Sequence, residues 1–346
     1  MGEANKKQHY VQKAILKKFS HTQRQSKTDV ITIIDAKRKK IYDKNISDAF
    51  CIDKMYDFEE CEDVKLIEKE LNEKIEGPMS TILNRFDTLC HNEFTINRSE
   101  LETIKKYILV QLYRNPRNRG QYNGEIDKWK KEMLHILQTP FDDLLNNSIG
   151  FDGVRLFAQD IHRSFMMIVR TRDEFCINDM GYATERMPCN AIPIASIDNY
   201  IIFPFSPHYA ILKVDCLWKR YFQKLYSKNP MTPPSCSPIL NKYLELPKTS
   251  YVNRGKITCE LDIWSSRDPK DEYTYHIVDI SKDDTDFLNT LTLNETLEII
   301  GVHDVNAIST SIDEFRRRAK IGGARIDYDF FDDALKEYND KKQQNK

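Results

Sequence analysis

One histidine stands where it could act as a proton acceptor. Lys7-Gln8-His9-Tyr10 opens an apolar, periodic segment that continues through Ile15, Leu16 and Phe19, with Lys13, Lys17 and Lys18 close by. Cations around an imidazole disfavour its charged form, which keeps a neutral base available near pH 7. The competing reading is a histidine that packs or caps at a helix start. A second stretch, Gln111-Leu112-Tyr113-Arg114-Asn115-Pro116-Arg117-Asn118-Arg119, places Gln111 and Arg114 on one helix face, and Pro116 ends that helix. Arg114, Arg117 and Arg119 then offer planar forks for a phosphate or carboxylate. A buried Arg114 needs a carboxylate partner, and Asp179, in Asn178-Asp179 at a strand end, is the first candidate. Phe205-Ser206-Pro207-His208 lies between two expected strands. Ser206 as a nucleophile needs a base and an oxyanion hole, so a structural turn competes with that reading.

The familiar signatures of catalysis are missing. There is no GxGxxG, Walker loop, GxSxG elbow, HExxH or calcium loop. The eight cysteines are scattered without a CxxC pair, which leaves no zinc framework. No metal ligand set is expected; a divalent ion at Asp179 stays open, but no second carboxylate lies at a fixed offset from it to argue one.

These residues must be positioned by a mixture of helices and strands. Val30–Ile34 and Ile41-Tyr42 read as a hairpin around the basic turn 35–40. Periodic apolar residues predict helices over 64–90, 99–114 and 125–138, the first broken or kinked at Gly77-Pro78 and the second capped by Ser99 with Glu102. Beyond residue 163 short apolar runs (165–169, 175–177, 200–205, 209–214) read as strands. Helices follow at 215–227, 285–300, 311–320 and 327–338, after a proline-rich loop at 231–238. The expectation is an α+β protein, with a helix-rich N-terminal half carrying a small hairpin, then a small, mostly antiparallel sheet and C-terminal helices. Residues 1–163 and 164–346 form two regions or one continuous domain.

Composition sets the outer bounds. The chain has 346 residues with 52 basic against 53 acidic side chains, so no global field draws it to nucleic acid or membrane. Charge is uneven along the chain, with a balance of +8 over 1–44, −7 over 48–76, +5 over 105–133 and −9 over 260–304. Such blocks either pair in the fold or form a phosphate-binding surface beside an acidic rim. The 17 Phe, 17 Tyr and 3 Trp exclude a disordered chain. Tyr200–Phe205, the most apolar run, is far too short to span a bilayer, and Met1–Lys7 leads into no secretory-type apolar region. A cytoplasmic protein without a membrane partner is expected.

In order along the chain, these stretches resemble a bacterial family catalogued as domain of unknown function 4238. Lys7-Gln8-His9-Tyr10-Val11-Gln12 through Leu16 and Phe19 is similar to its opening element, with Gln12 where the family has proline. Ile34-Asp35 with Ile41-Tyr42-Asp43-Lys44, then Ala49–Tyr56, Ile67-Glu68 to Gly77-Pro78, and Gln111, Arg114, Pro116 and Arg117 follow. Phe175–Asp179 matches in part, and Pro204-Phe205-Ser206-Pro207 resembles a further element. The resemblance covers about residues 6–215 and extends toward Asn294 in a later helix. It implies no activity, only a setting among mobile and phage-defence genes.

Two functions remain as expectations. The first is a nuclease of the toxin or phage-defence type, with His9, Arg114 and Asp179 catalytic and Tyr10, Lys13, Gln111, Arg117, Ser206 and His208 holding substrate. The second is a non-catalytic sensor or interaction module that binds a nucleotide, a peptide, a partner protein or further copies of itself. A deep polar pocket favours the first, and a flat apolar-rimmed patch the second.

Overall fold

The computed structural model describes residues 7–23, 27–89, 91–122, 124–146, 150–186, 198–215, 237–243, 250–253, 256–259, 268–322 and 326–344. The β-branched run forms the strand Thr28–Asp35, which turns back into Lys40–Asn45 with Ile33 opposite Tyr42. The Asp35 carboxylate accepts the Arg38 N–H at 2.7 Å, and Lys39 closes the turn at φ 55°. This hairpin belongs to a five-stranded sheet. Thr28–Asp35 also pairs with His21–Gln23 and with Ile299–Val302, and Ile299–Val302 in turn pairs with Ile177–Asn178.

The second sheet has eight strands, in the order Lys256–Cys259, Ser250–Asn253, Glu272–Asp279, Ser164–Arg170, Tyr209–Asp215, Asp198–Pro204 and Ala183–Arg186, with Glu93–Asn97 beside Glu272–Asp279. One pairing is parallel, Ile277 beside Ile168; the remaining pairings in this sheet are antiparallel. Lys7–His9 and Cys51–Asp53 make a separate two-stranded ribbon, His9 opposite Cys51. The protein is therefore mixed α and β, as expected, but the arrangement differs from the expected one. Strands are numerous before residue 98, and both large sheets draw strands from the two sides of residue 163.

The helix Arg98–Arg114 runs through the centre with most of its residues buried. Its capping box is Asn97 with Glu100, at 2.9 and 3.0 Å, two residues before the expected Ser99 with Glu102. The strand Glu93–Asn97 ends at Asn97, so the first free helical N–H groups face that side chain. Trp129 anchors Ile126–Gln138 against this helix, donating to the Tyr113 carbonyl at 3.0 Å and stacking on Tyr56.

The expected helix over 285–300 is instead Lys282–Glu295 followed by the strand Ile299–Val302. Ile299-Ile300-Gly301-Val302 is a short apolar run of the kind that periodicity alone cannot assign. The free edge of Thr28–Asp35 claims it. Residues 309–322 and 331–344 are helical, so the chain stays ordered as helix through Gln344. The helix expected at 215–227 and most of the loop expected at 231–238 lie outside the described residues.

Candidate functional site

The last turn of Arg98–Arg114 carries a buried polar network. Arg114 is 0% exposed. Its Nε donates to Gln111 Oε1 at 2.8 Å, which the three-residue helical spacing permits, and its Nη1 donates to Glu76 Oε1 at 2.7 Å. The carboxylate expected at Arg114 was Asp179; the partner is Glu76. Gln111 spends its own donor on two main-chain carbonyls, Tyr10 at 3.1 Å and Met180 at 2.9 Å. Gly181, at φ +72°, has no room for a side chain, because a Cβ there would lie 2.3 Å from Gln111 Nε2.

Glu76 reaches Arg114 from an unusual backbone. The expected kink at Gly77-Pro78 takes the form of a π-helical turn, Asn72–Glu76, between Leu66–Leu71 and Gly77–Asn84. A wider turn of this kind rotates its neighbours off the ordinary helical register, and such turns recur at functional sites. A Cβ on Gly77 would sit 3.0 Å from the Asn72 carbonyl, so glycine relieves crowding at the turn's exit. Gln12, 1% exposed, donates to the Glu76 carbonyl at 2.7 Å and reaches Ser80 Oγ at 3.3 Å.

His9 stands at the edge of this network. Its Nε2–H donates to the Ile46 carbonyl at 2.9 Å, while Nδ1 has no hydrogen-bond partner among the described residues. Burial holds its pKa below 6.5, helped by the charges of Lys13 and Arg114, while the Ile46 bond and Glu76 pull the other way. The result is a neutral imidazole with one nitrogen anchored and the other available. Neighbouring Gln8 is buried and donates to Asp57 at 2.7 Å and Glu68 at 2.8 Å, and the Tyr56 hydroxyl donates to the His9 carbonyl at 2.8 Å.

Two cavities open here. The smaller, about 190 Å³, is walled by His9, Lys13, Tyr56, Asn72 and Glu76 among others. The larger, about 680 Å³, shares Lys13, Asn72 and Glu76 and extends past Gln12, Lys17 and Ser80. The shared walls make one polar groove between the Lys13–Lys18 helix and the π-turn.

Of the expected site residues, His9 and Lys13 reach this groove, and the others do different work. Arg114 and Gln111 are wholly enclosed and cannot touch a substrate in this conformation. Tyr10 is buried and packs edge-on against Phe50, burial raises its pKa, and it lines neither cavity. Asp179 makes no hydrogen bond to His9 and lines neither cavity. Its carboxylate accepts three main-chain N–H groups, Leu297 at 2.8 Å, Glu298 at 2.6 Å and Ile299 at 3.2 Å, and so docks the start of a strand. Burial pushes the Asp179 pKa up while these bonds pull it down. Arg117 pairs with the Glu295 carboxylate and also donates to its carbonyl at 3.2 Å. Ser206 Oγ accepts the Tyr209 N–H at 3.0 Å, and His208 Nδ1 lies 2.9 Å from the Asp173 carbonyl, which makes this pair a hairpin turn. Neither lies in the walls of the groove.

Glu76, Gln12, Asn72 and Tyr56 were not singled out as functional residues. Their one sequence signal is Gly77-Pro78, directly after Glu76, which marks a helical irregularity but not where its carboxylate points. Among the described residues no group of three or more His, Cys, Asp or Glu side chains is placed to hold a metal ion. No helix among them is long and apolar enough to cross a membrane.

Fold and site together define a mixed α/β protein in which a buried Gln–Arg–Glu relay supports a polar groove. The chain belongs to the family described as protein of unknown function, DUF4238, whose model matches residues 7–300. No curated protein and no solved structure shows a significant match to it.

Proposed function

We propose that the chain is a nucleic-acid-cleaving effector of the bacterial toxin or phage-defence type, which hydrolyses a phosphodiester in the His9 groove. The observation that carries this reading is His9 itself. A neutral imidazole, fixed through Nε2–H and unpaired at Nδ1, stands in a polar cavity beside Glu76 and Lys13. In this role Nδ1 takes a proton from the attacking water, the phosphorus–oxygen bond of the strand breaks, and the departing oxygen is protonated from solvent. Lys13 offsets charge on the phosphate. Arg114 and Gln111 act as positioning residues that fix Glu76 and the His9–Tyr10 backbone, and Asp179 holds the strand Ile299–Val302 in place.

A second reading, a module that binds a nucleotide, peptide or partner protein without chemistry, is favoured by one specific observation. Two of the three residues expected to do chemistry, Arg114 and Asp179, are committed to internal bonds. Incubating the purified chain with RNA and with DNA separates the two readings. Cleavage lost in a folded His9→Ala variant supports the enzyme, and intact nucleic acid with retained binding supports the module.

A further inference from the structure

We infer that the larger cavity, beside the His9 pocket, is a recognition pocket for a nucleotide: Gln12 Oε1 accepts a hydrogen bond from a base amino group, and Lys13 and Lys17 hold the phosphate. The starting point is an unmet acceptor. Gln12 is 1% exposed, its amide nitrogen is committed to the Glu76 carbonyl and Ser80, and its Oε1 is buried with no hydrogen-bond partner. An enclosed acceptor left unpaired is costly, and a site containing one favours a ligand that brings a donor. Gln12 forms part of the wall of a cavity of about 680 Å³, within the roughly 300–1,000 Å³ of small-molecule sites.

The charge in the same wall specifies the other end of the ligand. Lys13 and Lys17 lie one helical turn apart on Lys13–Lys18, and neither ammonium has an ion-pair or hydrogen-bonding partner among the described residues. Two lysines nearby in sequence are matched, Lys7 by Asp48 and Lys18 by Asp87. Two unmatched ammonium groups beside a buried acceptor suit a molecule with an anion at one end and an amino donor at the other. The choice of a nucleotide over other such molecules rests on the phosphodiester reading of the adjoining His9 cavity, with which this cavity shares Lys13, Asn72 and Glu76.

The test edits the ligand first and the protein second. Calorimetric titration of the full chain compares adenosine 5′-monophosphate with purine riboside 5′-monophosphate, which lacks only the amino group, and with a single-stranded oligoadenylate. The amino compound should bind about tenfold more tightly than its analogue, the usual scale for leaving a buried polar group unpaired. The exposed-site double variant Lys13→Ala/Lys17→Ala should weaken both, and Gln12→Met should abolish the difference between them. The oligoadenylate arm decides whether a free nucleotide or a strand is the better ligand. Equal affinity for the two monophosphates, or no binding of any of the three at millimolar concentration, overturns the proposal. Amino-dependent binding by a chain that leaves nucleic acid intact keeps this pocket and removes the phosphodiester reading, whereas cleavage without amino discrimination does the reverse.

Discussion

Arg114 Nη1 and Glu76 Oε1 meet at 2.7 Å across 38 residues of chain, joining the end of the central helix to the π-turn that walls the groove. Nothing of Arg114 reaches the surface, so this pair governs the groove from beneath. Its Nη2 has no hydrogen-bond partner of ordinary geometry, while its guanidinium lies 5.9 Å from the centroid of the Tyr107 ring.

Removing Arg114 takes away a fully buried charge and leaves the partly buried Glu76 and the Gln111 side-chain carbonyl without it. Arg114→Ala is therefore expected to cost about 3–5 kcal/mol of stability, measured by urea denaturation. Arg114→Lys should recover only part of it, because an ammonium cannot bond Gln111 and Glu76 in one fork. A cost below about 1 kcal/mol for Arg114→Ala, the range of exposed ion pairs, would contradict this placement.

Gly181 tests the same network from its far side. An alanine there meets both a left-handed backbone and the Gln111 amide, which is held by the Tyr10 and Met180 carbonyls. Gly181→Ala should cost at least about 1–2 kcal/mol from the backbone alone, read as a lowered denaturation midpoint. A neutral effect would show that Gln111 is free to move.

Asp179 is expected to behave as a structural acceptor. In Asp179→Asn one oxygen becomes an amide, which faces at least one of the N–H groups of Leu297, Glu298 and Ile299 with a donor. The expected loss is about 1–3 kcal/mol, together with faster amide exchange in Ile299–Val302. An unchanged exchange pattern would count against the docking role.

The imidazole of His9 gives a signed pH dependence. Burial lowers its folded-state pKa from 6.5, so between that lowered value and 6.5 the unfolded chain binds more protons. Stability from this residue is full above pH 6.5 and is lost as pH falls through the folded value. Activity that needs the neutral base should fall off on the same acid side, below 6.5. The His9 ring resonances followed by NMR should titrate below 6.5, and a midpoint at or above 6.5 would contradict the environment described.

Much of this arrangement was legible where the physics is local. Gln111 and Arg114 share a helical face through their spacing, and the hairpin at 28–45 follows from its β-branched run and basic turn. Glu76 was not legible as the partner, because a π-turn shifts the register on which such an inference depends. The charge blocks left two outcomes open. Lys37–Glu298 and Arg117–Glu295 show basic and acidic blocks meeting in the fold, while Lys13 and Lys17 stay unmatched. The strand Ile299–Val302 was hidden because its pairing with Thr28–Asp35 spans some 265 residues, and no local pattern reports so distant an edge.

The central claim is that His9 is the base of a phosphodiester-cleaving site, and it is tested most directly by assaying purified wild-type and His9→Ala chains on total RNA and on DNA, with thermal melting to show that both are folded. The account predicts fragmentation by the wild type and a loss of about a hundredfold or more in His9→Ala, the scale of a general base. Equal cleavage by the two folded proteins, or none by either, would contradict it.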